Sequence, residues 1–173
     1  MKRFALHRML MVITFVVFTQ FVFGQMSNYK SLYIYNFIKR IEWPVAQSDD
    51  SFHIVIFGDE STFESISKIA DSKLAGDRPI VVEYIEEVEE LEFADLIYVD
   101  YSKRKDIPEI SLWIKNRSIL LVSDYKNAKQ TDINLLESSD GLEFIIRPDL
   151  IRDKDLKLSD MLIQLGKIDN ENQ

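Results

Sequence analysis

Four short apolar runs, spaced along the chain and separated by helical or polar segments, constrain the fold more than any other feature. They are Phe52–Phe57, Ile80–Tyr84, Leu96–Val99 and Ser118–Val122. Each is rich in β-branched residues and bounded by turn formers, which reads as a strand. None alternates cleanly between apolar and polar, so the strands are expected to be buried on both faces. Between them lie helical stretches. Ser61-Thr62-Phe63-Glu64 offers a capping box for a helix reaching Ser72 or Lys73, with Phe63, Ile66 and Ile69 inward. Ile107 to Lys115 begins a second near Pro108. Strands alternating with helices predict βαβ units and a mainly parallel sheet covered on both sides.

Before the first strand, Asn28 to Ile41 predicts an apolar helix capped by Asn28 and stopped at Trp43-Pro44. After the fourth strand the pattern changes. Asp132–Leu136 and Leu142–Ile146 flank Ser138-Ser139-Asp140-Gly141, a hairpin signal. Pro148 opens a helical turn, and Ser159 caps a last helix ending at Gly166. Gly76-Asp77-Arg78-Pro79 reads as a turn, and Glu86 to Glu92 as a short solvated helix. The fold class is α/β: a three-layer, Rossmann-like domain with a mainly parallel sheet and a C-terminal antiparallel hairpin.

Residues 1–24 stand apart. Lys2, Arg3 and Arg8 precede the apolar stretch Met9–Phe23, and small Gly24 follows. This is the layout of a secretory signal peptide cleaved near Gly24–Gln25, leaving one exported domain over 25–173. The alternative is a retained N-terminal anchor, although the run is short for a bilayer span. Removing the segment takes away three positive charges and no negative one, so the exported chain is more acidic than the formal −8 of the whole. Such a charge excludes a nucleic-acid footprint and favours basic partners. The glycines, five in number, form no phosphate-binding loop, and the absence of cysteine excludes disulfides and thiolate chemistry.

Candidate site residues fall into two groups. Asp59, Asp100 and Asp124 each follow an apolar strand. Carboxyl ends of parallel strands form ligand crevices, and three carboxylates there could hold Mg²⁺; the plainer reading is turn formation and helix capping. With Arg78, Asp59 and Asp124 could instead line a small-ligand pocket. Tyr35, Asn36, Glu42 and Trp43 lie on the first helix and its exit, where aromatics either pack inward or anchor a partner. His53, inside a strand, has no second histidine in the exported chain to build a metal site. The glutamates from Glu83 to Glu92 form an acidic stripe that is either a solvated face or a dock for a basic surface. No catalytic residue, metal or cofactor is assigned.

The segment Leu32-Tyr33-Ile34-Tyr35-Asn36-Phe37-Ile38-Lys39-Arg40-Ile41-Glu42-Trp43-Pro44 resembles the opening signature of the YfiR-like family. Further motifs follow in the family's order: Ile54–Asp59, Gly76–Val82, Ala94–Val99, Leu120–Asp124, Gly141–Ile145 and Leu156–Leu165. The resemblance implies a non-enzymatic periplasmic protein, dimeric in the best-understood members. It would bind the extracytoplasmic domain of a membrane-bound diguanylate cyclase, hold it off, and so lower cyclic-di-GMP and biofilm formation. Two departures stand out. Redox control through disulfides cannot apply without cysteine. Gln130-Thr131 and Arg147 replace the family's glycine-rich entry to the last hairpin and the asparagine after it. A small-ligand-binding module and a Mg²⁺-dependent hydrolase are the competing functional readings.

Overall fold

The computed structural model describes residues 25–44, 51–139 and 141–169. The leader and its cleavage point therefore lie outside the described residues. A helix, α1, occupies residues 25–40 and passes directly into a two-residue strand, β1 (Ile41–Glu42). Strand β2 (Phe52–Phe57), helix α2 (Glu60–Ala70), the short β3 (Leu74–Ala75) and β4 (Arg78–Ile85) follow. Then come β5 (Leu96–Val99), α3 (Ile107–Trp113), β6 (Leu120–Ser123), and the hairpin β7 (Ile133–Ser138) and β8 (Gly141–Ile146). Helix α4 (Pro148–Arg152), β9 (Lys157–Leu158), α5 (Asp160–Leu165) and β10 (Lys167–Ile168) are the last of the described elements.

Eight strands form one sheet in the order β10-β8-β7-β6-β5-β2-β4-β3, and β1 pairs separately with β9. Strands β4, β2, β5, β6 and β7 run parallel, while β8 runs antiparallel to β7. The expected α/β architecture with its closing hairpin is what forms. From β2 the chain moves outward to β4, then returns across β2 to β5. The strand order therefore reverses between β2 and β5, and a crevice opens there at the carboxyl ends.

Pleating divides the strand residues between two cores. Ile54, Ile56, Leu96, Tyr98, Leu120 and Val122 face α1, α2, α4 and α5. Val55, Phe57, Ile97, Val99 and Leu121 face α3 through Ile107, Ile110 and Ile114. Helix α1 buries positions 27, 30, 31, 34, 37 and 38, the spacing of a single helical stripe, and Ile41 just beyond it is buried as well.

Local boundaries differ from expectation where a tertiary partner was available. Asn28 does not cap α1, because the chain is already helical at Gln25; its Oδ1 instead accepts a hydrogen bond from Ser65. Ile41 leaves the helix because its backbone pairs with Leu158 in an antiparallel ladder. The cap of α2 is Asp59 rather than Ser61: the Asp59 carboxylate accepts the Thr62 amide at 2.9 Å. Carboxylate capping also places a negative charge at the helix N-terminus, where the backbone dipole favours it. Arg78 and Pro79 are strand residues, and only Gly76-Asp77 turn, with Gly76 at φ 64 supplying the left-handed step. The acidic stretch forms one 3₁₀ turn, Val88–Glu90, instead of a longer helix.

Candidate functional site

Asp59, Asp100 and Asp124 converge at the carboxyl edge of the sheet, and a residue that sequence reading passed over lies among them. Lys30 Nζ is 2.7 Å from Asp124 Oδ2, 3.2 Å from Asp59 Oδ2 and 3.9 Å from Asp100 Oδ2. Its ammonium also sits 5.6 Å from the centre of the Tyr98 ring. The Tyr98 hydroxyl donates to Asp124 at 2.9 Å. Asp59 additionally accepts from the Thr62 and Ser61 hydroxyls, and Ser27 on α1 bonds Ser61 on α2 at 2.8 Å. The crevice at the strand reversal is thus filled by a lysine from α1.

Burial and pairing compete in this cluster. Burial alone would lower the Lys30 ammonium, but Asp124 and Asp59 more than offset it, and the group is held above the ordinary lysine value. Burial pushes Asp59 up, yet hydrogen bonds from Thr62 and the charge of Lys30 bring it below the usual carboxylate range. Asp124 goes the other way. Its burial, with Asp100 as a like-charged neighbour, outweighs Lys30 and leaves the carboxyl raised. Asp124 Oδ1 is buried with no hydrogen-bond partner, consistent with a poorly stabilised anion. Tyr98 is pushed well above its normal value by burial and by the surrounding carboxylates, so it serves as a donor.

Lys30 had a legible signal. It stands one helical turn before Ile34 on the stripe that continues through Phe37, Ile38 and Ile41. A lysine on a buried stripe needs anionic partners, and three strand-end aspartates supply them. Chemically, the cluster is a charged clamp fixing α1 to the sheet. Its one cation and hydroxyl donors are committed to the carboxylates. Among the described residues, no group of three or more His, Asp or Glu has the arrangement of a metal site.

Arg78 is not part of this crevice. It belongs to the opposite, amino edge, separated from Asp59 by the length of β2, roughly 20 Å for six residues. The expected pocket joining Asp59, Arg78 and Asp124 therefore does not form. Arg78 holds Asp95 through Nη2 at 2.9 Å, donates to the Ser51 carbonyl, and stacks over Phe52 at 5.2 Å. Asp95 in turn accepts the His53 amide at 2.8 Å.

Trp43 joins the same amino-edge group. Its ring meets Phe52 edge-on at 4.9 Å, and its Nε1 donates to the Asp95 carbonyl at 3.3 Å. Trp43 is half-buried and lines two clefts, of about 480 and 420 Å³. Arg78 borders the first cleft; Arg152 and Lys157 border the second. Glu42 is exposed and lies 3.9 Å from Lys157. Tyr35 reaches toward β3, where its hydroxyl donates to the Leu74 carbonyl at 3.5 Å. Asn36 lines a separate cavity of about 370 Å³ between α1, β8 and α5, beside Tyr33 and Phe144. The seven candidate residues thus divide among three regions. His53 packs edge-on against Phe93 at 5.0 Å.

The two departures at the hairpin entry are coupled. Arg147 is buried and donates to the Thr131 carbonyl at 2.9 Å, to Asn134 Oδ1 at 2.5 Å, and pairs with Asp169 at 2.9 Å. Arginine thus ties together β7, the loop before it and the residue that follows β10.

A family model described as YfiR/HmsC-like matches residues 27–167, from the first turns of α1 to the start of β10. The chain belongs to the YfiR/HmsC-like family. Comparison with curated proteins gives no match. No helix among the described residues is long and apolar enough to cross a membrane.

Proposed function

We propose that this protein is an exported regulator that binds the extracytoplasmic domain of a membrane signalling enzyme of the diguanylate-cyclase type. The observation that carries this reading is the family match across residues 27–167. The geometry supports it from another side. The polar cluster in the strand-end crevice is internally compensated and anchors a helix, whereas Trp43 offers an aromatic surface bordering two clefts. A half-buried tryptophan flanked by arginine and lysine has the composition of an interface anchor. Trp43, Glu42 and Arg78 form the proposed contact region, with Tyr35 and Asn36 on neighbouring faces of α1. Periplasmic location, cleavage of residues 1–24 near Gly24 and homodimerisation belong to the same reading.

Regulation then needs no bond-making step. Binding one conformation of the enzyme more tightly by about 1.4 kcal/mol shifts its equilibrium tenfold. Deletion of the gene is expected to raise cellular cyclic-di-GMP, and Trp43→Ala is expected to behave like the deletion while the protein still accumulates. Unchanged cyclic-di-GMP in the deletion strain overturns the reading.

A further inference from the structure

Among the described residues, strand β4 is left open along most of its outer edge. Its inner side pairs with β2 over six residues, from Ile80 to Ile85. Its outer side pairs with β3 only at Arg78 and Pro79. The carbonyl of Ile85 accepts from Gly58, at the end of β2, so Ile85, Glu83 and Val81 direct their backbone groups inward. Because backbone direction alternates along a strand, Ile80, Val82 and Tyr84 direct theirs outward. Arg78, facing β3 across the Gly76-Asp77 turn, has the same phase. Three consecutive outward-facing residues thus present N–H and C=O groups with no strand beside them among the described residues.

The surroundings specify what could lie there. Leu74 on β3, Val81 and Phe93 are exposed apolar residues, at 50%, 36% and 42%. Between Pro79 and Phe93 the sequence holds six glutamates and no lysine or arginine. All six, Glu83, Glu86, Glu87, Glu89, Glu90 and Glu92, are exposed. Among the described residues, Lys103 pairs with Glu86 at 2.9 Å and also feels the charge of Glu87. Acidic residues beside an open edge oppose the approach of an identical edge, which discourages a second copy. They attract a strand of opposite charge.

The geometry points to β4 as the docking edge for an extended, basic segment of a partner protein, added as a further strand. Backbone hydrogen bonds to Ile80, Val82 and Tyr84 would supply affinity, and the glutamates would select for lysine or arginine alternating with apolar residues. The inference stands apart from the cyclase reading, since it concerns the chemistry of the bound segment and not the enzyme that carries it.

The test uses the purified protein and three synthetic peptides of about ten residues, long enough to cover the edge. One alternates lysine and valine; the second has glutamate in place of lysine; the third keeps the lysines but has proline at alternate positions. The lysine–valine peptide is expected to slow amide hydrogen exchange at Ile80, Val82 and Tyr84. The other two peptides are expected to bind at least about tenfold more weakly, for lack of charge complementarity or of strand donors. Glu83→Lys with Glu92→Lys, both exposed, is expected to weaken the first peptide by about tenfold while leaving the circular dichroism spectrum unchanged. Equal binding of the proline peptide would mean attraction of charge without strand addition, and overturns the proposal. So do equal binding of the glutamate peptide, unslowed exchange at the three amides, and protection of those amides by self-association without peptide.

Discussion

Replacing Lys30 by methionine isolates the electrostatics of the strand-end cluster, because the side-chain length and most of the packing are retained. The loss does not fall equally on the carboxylates. Asp59 keeps the Thr62 amide and hydroxyl and the Ser61 hydroxyl, at 2.9, 2.7 and 2.8 Å. Asp124 keeps only the Tyr98 hydroxyl at 2.9 Å, and its side chain is 13% exposed. Removing one partner of a buried ion pair costs about 3–5 kcal/mol. The slight exposure of Asp124 and its ability to take up a proton place the expected loss near the lower end, about 3 kcal/mol at neutral pH. With a urea slope of about 2 kcal/mol/M, the denaturation midpoint falls by about 1.5 M.

The pH dependence carries the diagnostic sign. Asp124 already has a raised carboxyl in the folded protein, and losing Lys30 raises it further. A group raised on folding contributes stability below its unfolded value and loses it as pH rises through the folded value. The defect of Lys30→Met is therefore largest at neutral pH and shrinks as the solution is acidified toward the carboxylate range. Adding Asp124→Asn removes the orphaned charge and is expected to restore most of the midpoint. Urea titrations of the three proteins across this pH range decide the matter. A loss below about 1 kcal/mol, or one that neither varies with pH nor recovers with Asp124→Asn, would refute the view that Lys30 compensates a buried anion.

Lys154→Met should destabilise by about 3 kcal/mol in the same assay, because Asp132 is fully buried and takes both of its oxygens' cationic contacts, at 2.8 and 2.6 Å, from Lys154. Gly166→Ala should cost about 1–3 kcal/mol by overpacking, since a Cβ there would stand 2.5 Å from Phe144 and 2.9 Å from Ile146; a melting temperature equal to the parent's would contradict this. Gly58→Ala should lose about 1–2 kcal/mol, because φ is +84 and a Cβ would meet Lys103 at 2.5 Å. Trp43→Ala should lower stability by about 1–2 kcal/mol, less than a fully buried aromatic, since the ring is half-buried and borders two clefts as well as core.

Strands β2, β5 and β6 were legible because their apolar runs need burial on both faces wherever they lie, and only a covered parallel sheet provides it. The hairpin β7–β8 and the cap at Ser159 were equally local, written in turn and capping residues. The two-residue strands β1, β3, β9 and β10 were not, since a pair of residues has no periodicity and becomes extended only when a partner such as Leu158 meets Ile41. The same limit governs the site. Residues that follow apolar strands, such as Asp59 and Asp124, announce themselves at one edge of a sheet. That Lys30, 94 positions before Asp124, fills the space between them depends on where α1 crosses the strand reversal. That Arg78 faces the far edge depends on the extent of β4. Burial requirements are properties of a segment and can be read along the chain, whereas charge compensation is a property of distance, and only folding brings a cation within 3 Å of a carboxylate it never neighbours in sequence.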